Sequence, residues 1–351
     1  MRDFVDLEDH DDTTIERLLA RARALERAPR GTQLAGRVMG LLFFNPSLRT
    51  LASFQAGMAQ LGGGSFVISP GQASWQLETR RGVRMDGAAA EHIREAVPVL
   101  EQYCDVLGVR AFAERKNLTT DLGEPILSAV REVARGPIVS LESAVNHPCQ
   151  ALADWKTLDD LDVPRRGGRF VLSWAWHPKA LPLAVPAAVV SMAARRGMDV
   201  TVLRPDAFAL PPGVLERART AAQKSGGRVR ETADRIAALD GAQVLYAKSW
   251  GAPTAYGDDA HDAAARAPHQ DWCVAEDWFR GSAPGSIFLH CLPVRRNVVV
   301  SDEVIDGPRS RVIQQAGNRL HVQKAVLLEM LATEGDGATP PIRRAREGSQ
   351  T

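Results

Sequence analysis

The sequence predicts an α/β protein of two domains, each a mainly parallel sheet flanked by helices, with an active-site cleft between them. Three observations carry this. Apolar, β-prone runs alternate with helix-period segments over most of the chain. At 351 residues the chain exceeds the usual size of one hydrophobic core. The strand–helix rhythm also occurs twice, on either side of the turn Pro164-Arg165-Arg166-Gly167-Gly168.

In the first half, Val38–Phe44 reads as a buried strand. Leu51, Phe54, Met58 and Leu61 then fall at helical spacing, and Gly62-Gly63-Gly64 stops that helix. Ser65–Ser69 is a second strand, and Ala90–Cys104 a helix with Ile93, Val97 and Leu100 on one face. Asp105–Val109 and Pro137–Leu141 complete a parallel sheet. In the second half the order is strand Phe170–Trp174, helix Ala184–Arg195, strand Val200–Leu203 and helix Gly213–Ser225. Strands near Arg228–Arg230, Val244–Ala247 and Ser286–His290 follow. Residues 1–145 would form the first domain and residues 146–317 the second. An amphipathic helix within 318–334 is expected to pack back on the first domain, and the Gly-, Pro-, Arg- and Ser-rich tail 335–351 to be mobile.

Composition excludes several classes. With 45% hydrophobic and 24% charged residues, this is an ordinary globular chain. A net charge of +1 gives no electrostatic reason for a nucleic-acid or membrane-surface partner. No apolar run approaches the roughly 18 residues of a membrane span. The acidic start MRDFVDLEDHDD lacks the apolar core of a signal peptide, so a cytoplasmic location is expected. The four cysteines are scattered without a CxxC pair, and a chain of this size folds without disulfides.

Four segments at predicted strand ends carry chemistry. Phe44-Asn45-Pro46-Ser47-Leu48-Arg49-Thr50 joins a strand to a helix, where free N–H groups and the helix dipole favour an anion. Ser47 and Thr50 add hydroxyls, and Arg49 a bidentate cation. Asn146-His147-Pro148-Cys149-Gln150 lies between the strand Pro137–Leu141 and a helix at about Ala151–Leu161. There a rigidly held His suits polarisation of a carbonyl, beside a Gln that reads an amide. His290-Cys291-Leu292-Pro293, followed by Arg295-Arg296-Asn297, meets the crevice at another strand end. Tyr246-Ala247-Lys248-Ser249-Trp250-Gly251 places one of only six lysines at a fourth. Each alone also reads as a cap, a solvated loop or a surface lysine. Four in order, across both halves, point to an anion- and carbonyl-binding cleft.

These segments resemble the aspartate/ornithine carbamoyltransferases, and within them the N-acetylornithine and N-succinylornithine carbamoyltransferase branch. FNPSLRT is similar to the family's carbamoyl phosphate loop, usually S-x-R-T-R-T, while HPCQ and HCLP match family signatures as they stand. AKSWG, HCLPVRRN and NRLHVQKA resemble the acylornithine branch. The resemblance implies that Ser47, the Leu48 backbone, Arg49 and Thr50 hold the phosphate, and that Arg110 contacts phosphate and carbonyl. It implies that His147 donates to the carbonyl oxygen, that Gln150 reads the NH2, and that Cys291, Leu292 and Arg295 complete that site. Trp75 corresponds to a loop that relatives insert into a neighbouring subunit's site, which implies a homotrimer with shared sites. The amine substrate would meet Trp75, Phe112, Glu142, Lys248, Leu292 and Arg295. No metal or other cofactor is implied, carbamoyl phosphate being a substrate.

Ornithine-specific relatives grip a free α-ammonium with an Asp and an S-M-G loop; AKSWG stands there instead. Lys248 and Arg295 favour a carboxylate, which fits an N2-acylated ornithine as acceptor. Several positions depart from the branch. Leu51 and Ala52 stand where an Arg and a Thr continue the phosphate loop, and Pro182 replaces an Asn that contacts the amino acid. Ala90 occupies a position that is Glu in acetyl-specific and Pro in succinyl-specific members. Val299 replaces a Lys, and Gly317 a Glu. These departures leave room for a different amine or for a silent paralogue that binds carbamoyl phosphate without turnover. A zinc hydrolase built on His147, Cys149, His290 and Cys291 is a further alternative, disfavoured by the tetrahedral convergence zinc needs.

Overall fold

The computed structural model describes residues 1–331, so the expected tail 335–351 lies outside the described residues. Two parallel sheets organise the chain. The first contains β1 (Val38–Phe43), β2 (Gly64–Ile68), β5 (Val106–Arg110) and β6 (Ile138–Glu142), in the order β2-β1-β5-β6. The short strands β3 (Gln76–Glu78) and β4 (Ala89–His92) pair with each other apart from it. The second sheet contains β7 (Arg169–Trp174), β8 (Asp199–Leu203), β9 (Arg228–Thr232), β10 (Val244–Lys248) and β11 (Ile287–Leu289), in the order β11-β10-β7-β8-β9. β5, β6 and β10 are buried along their whole length, as strands covered by helices on both faces must be.

The structure moves four expected helix boundaries by three residues or more. Helix Ile93–Leu100 begins three residues later than expected, because Ala89–His92 pairs with Gln76–Glu78 as a strand. The His92 side chain caps it by accepting from the Arg94 N–H, and it ends at Leu100 instead of Cys104. The helix after His147 starts at Pro148, since proline is pre-set for a first helical position. The final helix, Val312–Leu331, begins six residues before the start expected at Asn318 and carries Gly317 in its interior. Helix Asp12–Arg27, capped by Asp11, was not foreseen.

Helix Val312–Leu331 packs against Asp12–Arg27, Leu48–Gln60 and Pro148–Asp160. Lys156 is pinned inside this group. Its Nζ donates to Glu26 Oε2 and Asp160 Oδ2, both at 2.6 Å, and to Asn318 Oδ1 at 3.0 Å. A second tie joins the two halves: the Tyr256 hydroxyl donates to Asp121 Oδ2 at 2.6 Å, and Arg115 to the Ala180 carbonyl at 2.8 Å. Lys156→Ala leaves Asp160 and the Asn318 carbonyl without their buried cation. It is expected to destabilise the protein by about 3 kcal/mol, read as a lower urea midpoint.

Candidate active site

The C-terminal ends of strands from both sheets face a shared cavity of about 710 Å³. Strand order reverses between β1 and β5 in one sheet and between β7 and β10 in the other, which opens a crevice at each. At or just beyond the ends of those strands, Arg49, Phe112, His177 and Lys248 line the cavity.

On the first side, the Ser47 hydroxyl caps helix Leu48–Gln60 by accepting from the Thr50 N–H at 3.2 Å. The remaining first-turn N–H groups and the helix dipole favour an anion there. Asn45 Oδ1 accepts from the Phe112 N–H at 2.7 Å, tying the loops after β1 and β5 together. The Thr50 hydroxyl accepts from Arg319 at 2.6 Å, so the final helix reaches back to the first turn of helix Leu48–Gln60. Arg110 pairs with Glu142 at 2.6 Å and lies over the Phe112 ring at 4.4 Å. His147 Nε2 stands 3.4 Å from the same Glu142 oxygen, too long for a strong bond.

The second side is held by backbone geometry. Leu292 adopts φ +55° and its N–H donates to His290 Nδ1 at 2.9 Å, while the Leu292–Pro293 bond is cis. Arg295 Nε donates to His177 Nε2 at 3.1 Å, and His177 Nδ1 faces the Lys179 carbonyl at 2.8 Å. Leu181, Pro182, Val185 and Val294 give this side an apolar wall.

Unsatisfied polarity converges here. Nε of Arg49, Arg110 and Arg319, Nδ1 of His147 and Oε1 of Gln150 are all buried without hydrogen-bond partners. Buried polar groups are normally paired, so such a cluster on one cavity marks a ligand's place. Five cations (Arg49, Arg110, Lys248, Arg295 and Arg319) face it with one carboxylate, Glu142. An anionic ligand is what that balance accommodates. Burial holds His147 well below the usual histidine range, with Arg319, Arg110 and Arg49 pushing the same way. Burial, then Lys248 and Arg49, do the same to His290. The His147 ring is therefore a neutral N–H donor near neutral pH.

The cavity brings together Ser47, Leu48, Arg49, Thr50, Arg110, Phe112, Glu142, His147, Gln150, Lys248, Cys291, Leu292 and Arg295. Trp75 is not among them: it is 59% exposed beside β3, and its indole N–H donates to Glu91 at 2.8 Å. Sequence reasoning missed Arg319 and His177. Arg319 lay within NRLHVQKA, used only as a likeness, and nothing local marks it as the residue by which the returning helix meets the Thr50 hydroxyl. Of the departures, Pro182 lines the cavity, whereas Val299 is buried in the core and Ala90 is exposed on β4. Cys149 is also in the core, away from the cavity. Among the described residues, no three His, Cys, Asp or Glu side chains gather as a metal site would require.

A cleft between two parallel α/β sheets, lined by cations and carbonyl-directed donors, defines a group-transfer site for an anionic donor. Residues 2–160 match the aspartate/ornithine carbamoyltransferase carbamoyl-P binding domain, and residues 185–330 the Asp/Orn binding domain. The chain belongs to the aspartate/ornithine carbamoyltransferase family and is a carbamoyltransferase. The first match runs past the boundary expected after residue 145, taking in all of helix Pro148–Asp160.

Among its relatives is the N-acetylornithine carbamoyltransferase of Xanthomonas axonopodis pv. citri (strain 306), 37% identical over 340 residues, covering 96% of this chain and 98% of the relative. The N-succinylornithine carbamoyltransferase of Bacteroides thetaiotaomicron is 36% identical over 291 residues, covering 83% and 86%. A solved structure of acetylornithine transcarbamylase complexed with acetylcitrulline superposes with a TM-score of 0.92 at 36% identity, covering 95% of this chain and all of that one.

The depressed histidines set an expected pH dependence. In the unfolded chain His147 and His290 take up protons below about pH 6.5, which the folded state refuses. Their contribution to stability is thus present above that pH and lost progressively as pH falls toward the lower folded values. His290→Gln should flatten the fall of the urea midpoint between about pH 7 and 5. An unchanged slope would mean that the ring is hydrated.

Proposed function

We propose that this carbamoyltransferase moves the carbamoyl group of carbamoyl phosphate onto the side-chain amine of an N2-acylated ornithine, acetyl or succinyl, giving the N-acylcitrulline and phosphate. The observation that carries this is the set of unpaired buried groups converging on a cavity with five cations and one carboxylate. Ser47, the Leu48 and Arg49 N–H groups, Thr50 and the Arg49 side chain bind the phosphate dianion at the helix N-terminus. Arg110, His147 and Arg319 meet the carbonyl oxygen, while Gln150 and the Cys291-Leu292 backbone meet the NH2.

The neutral amine attacks the carbonyl carbon. A C–N bond forms, the C–O bond to phosphate breaks, and the departing phosphate accepts the amine proton. Negative charge grows on the carbonyl oxygen, where two guanidinium groups and a neutral imidazole stabilise it without reorganising. Holding both substrates in one cleft supplies much of the remaining acceleration. The reaction so written needs no metal and no cofactor.

Lys248 and Arg295 bind the acceptor's α-carboxylate. The sequence assigns Arg295 to both substrates; its bond to His177 favours the acceptor side, and Arg319 joins Arg110 and His147 at the carbonyl. Among the described residues no second carboxylate lines the cavity to receive an α-ammonium, which supports an acylated nitrogen. The relatives with N-acetylornithine and N-succinylornithine names support the same acceptor, and with it a place in arginine biosynthesis. The apolar surface of Leu181, Pro182 and Val185 favours a second reading, an amine with a more apolar body than ornithine.

We also propose a homotrimer in which the exposed Trp75 segment completes a neighbour's cleft. A cytoplasmic location is proposed with it; among the described residues no helix is long and apolar enough to cross a membrane.

Incubation with carbamoyl phosphate and an amine panel, read by mass spectrometry for ureido product, tests the reaction. Product with N2-acetyl- or N2-succinylornithine and not with ornithine is expected. Product from another amine alone would replace the acceptor, and none from any amine would overturn the transfer. Lys248→Ala should raise the acceptor KM about tenfold or more, the loss of one charge-assisted bond, with a smaller change in the KM for carbamoyl phosphate.

A further inference from the structure

We infer that Asp154 decides which way the Gln150 amide faces, and thereby makes the cleft select a carbamoyl NH2 over an isosteric methyl group. This deepens the carbamoyl-transfer reading and rests on it. Gln150 and Asp154 lie four residues apart on helix Pro148–Asp160, hence on one face. Gln150 Nε2 donates to Asp154 Oδ1 at 2.8 Å. From helix Val312–Leu331, Gln315 Nε2 donates to the same oxygen at 2.7 Å. An Asp oxygen in that place accepts only the NH2 end of each amide.

Both amide carbonyls are therefore turned away from Asp154. That of Gln315 accepts the His290 N–H at 3.0 Å, just before the Cys291-Leu292 segment of the cavity. That of Gln150 is buried with no partner, on a side chain that lines the cavity. A glutamine without such a lock presents either end, because its terminal torsion is broad and its two ends are nearly isosteric. With the lock, this position is an acceptor only.

Burial raises the Asp154 carboxyl to about 7, opposed by bonds from Gln315 and Gln150, by the Tyr246 phenol and by the Arg319 charge. Protonation does not undo the lock. Oδ2 has no hydrogen-bond partner and can take the proton, leaving Oδ1 to accept both amides. Asp154 touches no reacting atom and is a positioning residue.

Two phosphonates that differ only in the group read by Gln150 separate orientation from general support: phosphonoacetamide carries NH2 where acetonylphosphonate carries CH3. Calorimetry should show wild type preferring phosphonoacetamide by about tenfold, the size of one buried hydrogen bond. Asp154→Leu should bring the two within about twofold, the bond being lost, whereas a purely structural role would weaken both together and keep their ratio. Asp154→Asn retains a carbonyl acceptor in the same place and should keep the preference. An unchanged ratio in Asp154→Leu, or a lost ratio in Asp154→Asn with an intact melting transition, overturns the proposal. Should Asp154→Leu fail to fold, the isosteric Asn variant decides alone. A wild type that binds both phosphonates equally also overturns it, while one that binds neither would instead sink the carbamoyl phosphate site itself.

Discussion

Three guanidinium groups from distant segments, Arg49, Arg110 and Arg319, share one end of the cleft with a single carboxylate. They come from the loop after β1, the end of β5 and the final helix. Two unit charges 4 Å apart at an effective dielectric of 20 interact by about 4 kcal/mol, so crowding of this kind is unfavourable until an anion reverses its sign. Much of the fold serves to hold them there. The Arg319–Thr50 bond fixes one, the Arg110–Glu142 pair and the Phe112 ring fix another, and Arg49 follows from the Ser47 cap. Burial, reinforced by the same field, keeps His147 neutral, which makes it a donor that adds no further charge.

The side of the cleft proposed for the acceptor is built differently. Its cations, Lys248 and Arg295, lie beside an apolar wall and not within a cluster of donors. A charged head and an aliphatic body are what such a surface recognises. The two halves meet through buried polar bridges: Asp154 links Gln150 to Gln315, and Gln315 links onward to the His290 backbone. A shift of the final helix would therefore disturb the His290–Leu292 segment and Gln150 together.

Much of this was legible in the sequence. The strands fall within a residue or two of their expected places, because β-prone runs buried on both faces have no helical period to confuse them. Proline, hydroxyl and charged residues after β1, and the His-Pro pair after β6, announced loops that reach the cavity. Legibility failed where the determinant is tertiary. Ala89–His92 becomes a strand only because Gln76–Glu78 lies alongside, and Gly317 sits inside a helix that packing against three others sustains. Arg319 and His177 are ordinary residues until the chain folds, and Trp75 remains outside the cleft of its own chain.

The central claim is that the unpaired groups around Arg49, Arg110, His147 and Arg319 form one donor site. A crystal structure with bound phosphonoacetamide tests this most directly. The phosphonate should lie on the Ser47–Thr50 turn against Arg49, with the amide carbonyl within hydrogen-bond distance of His147 and of Arg110 or Arg319. A phosphonate bound instead between Lys248 and Arg295, with those four side chains unengaged, would contradict it.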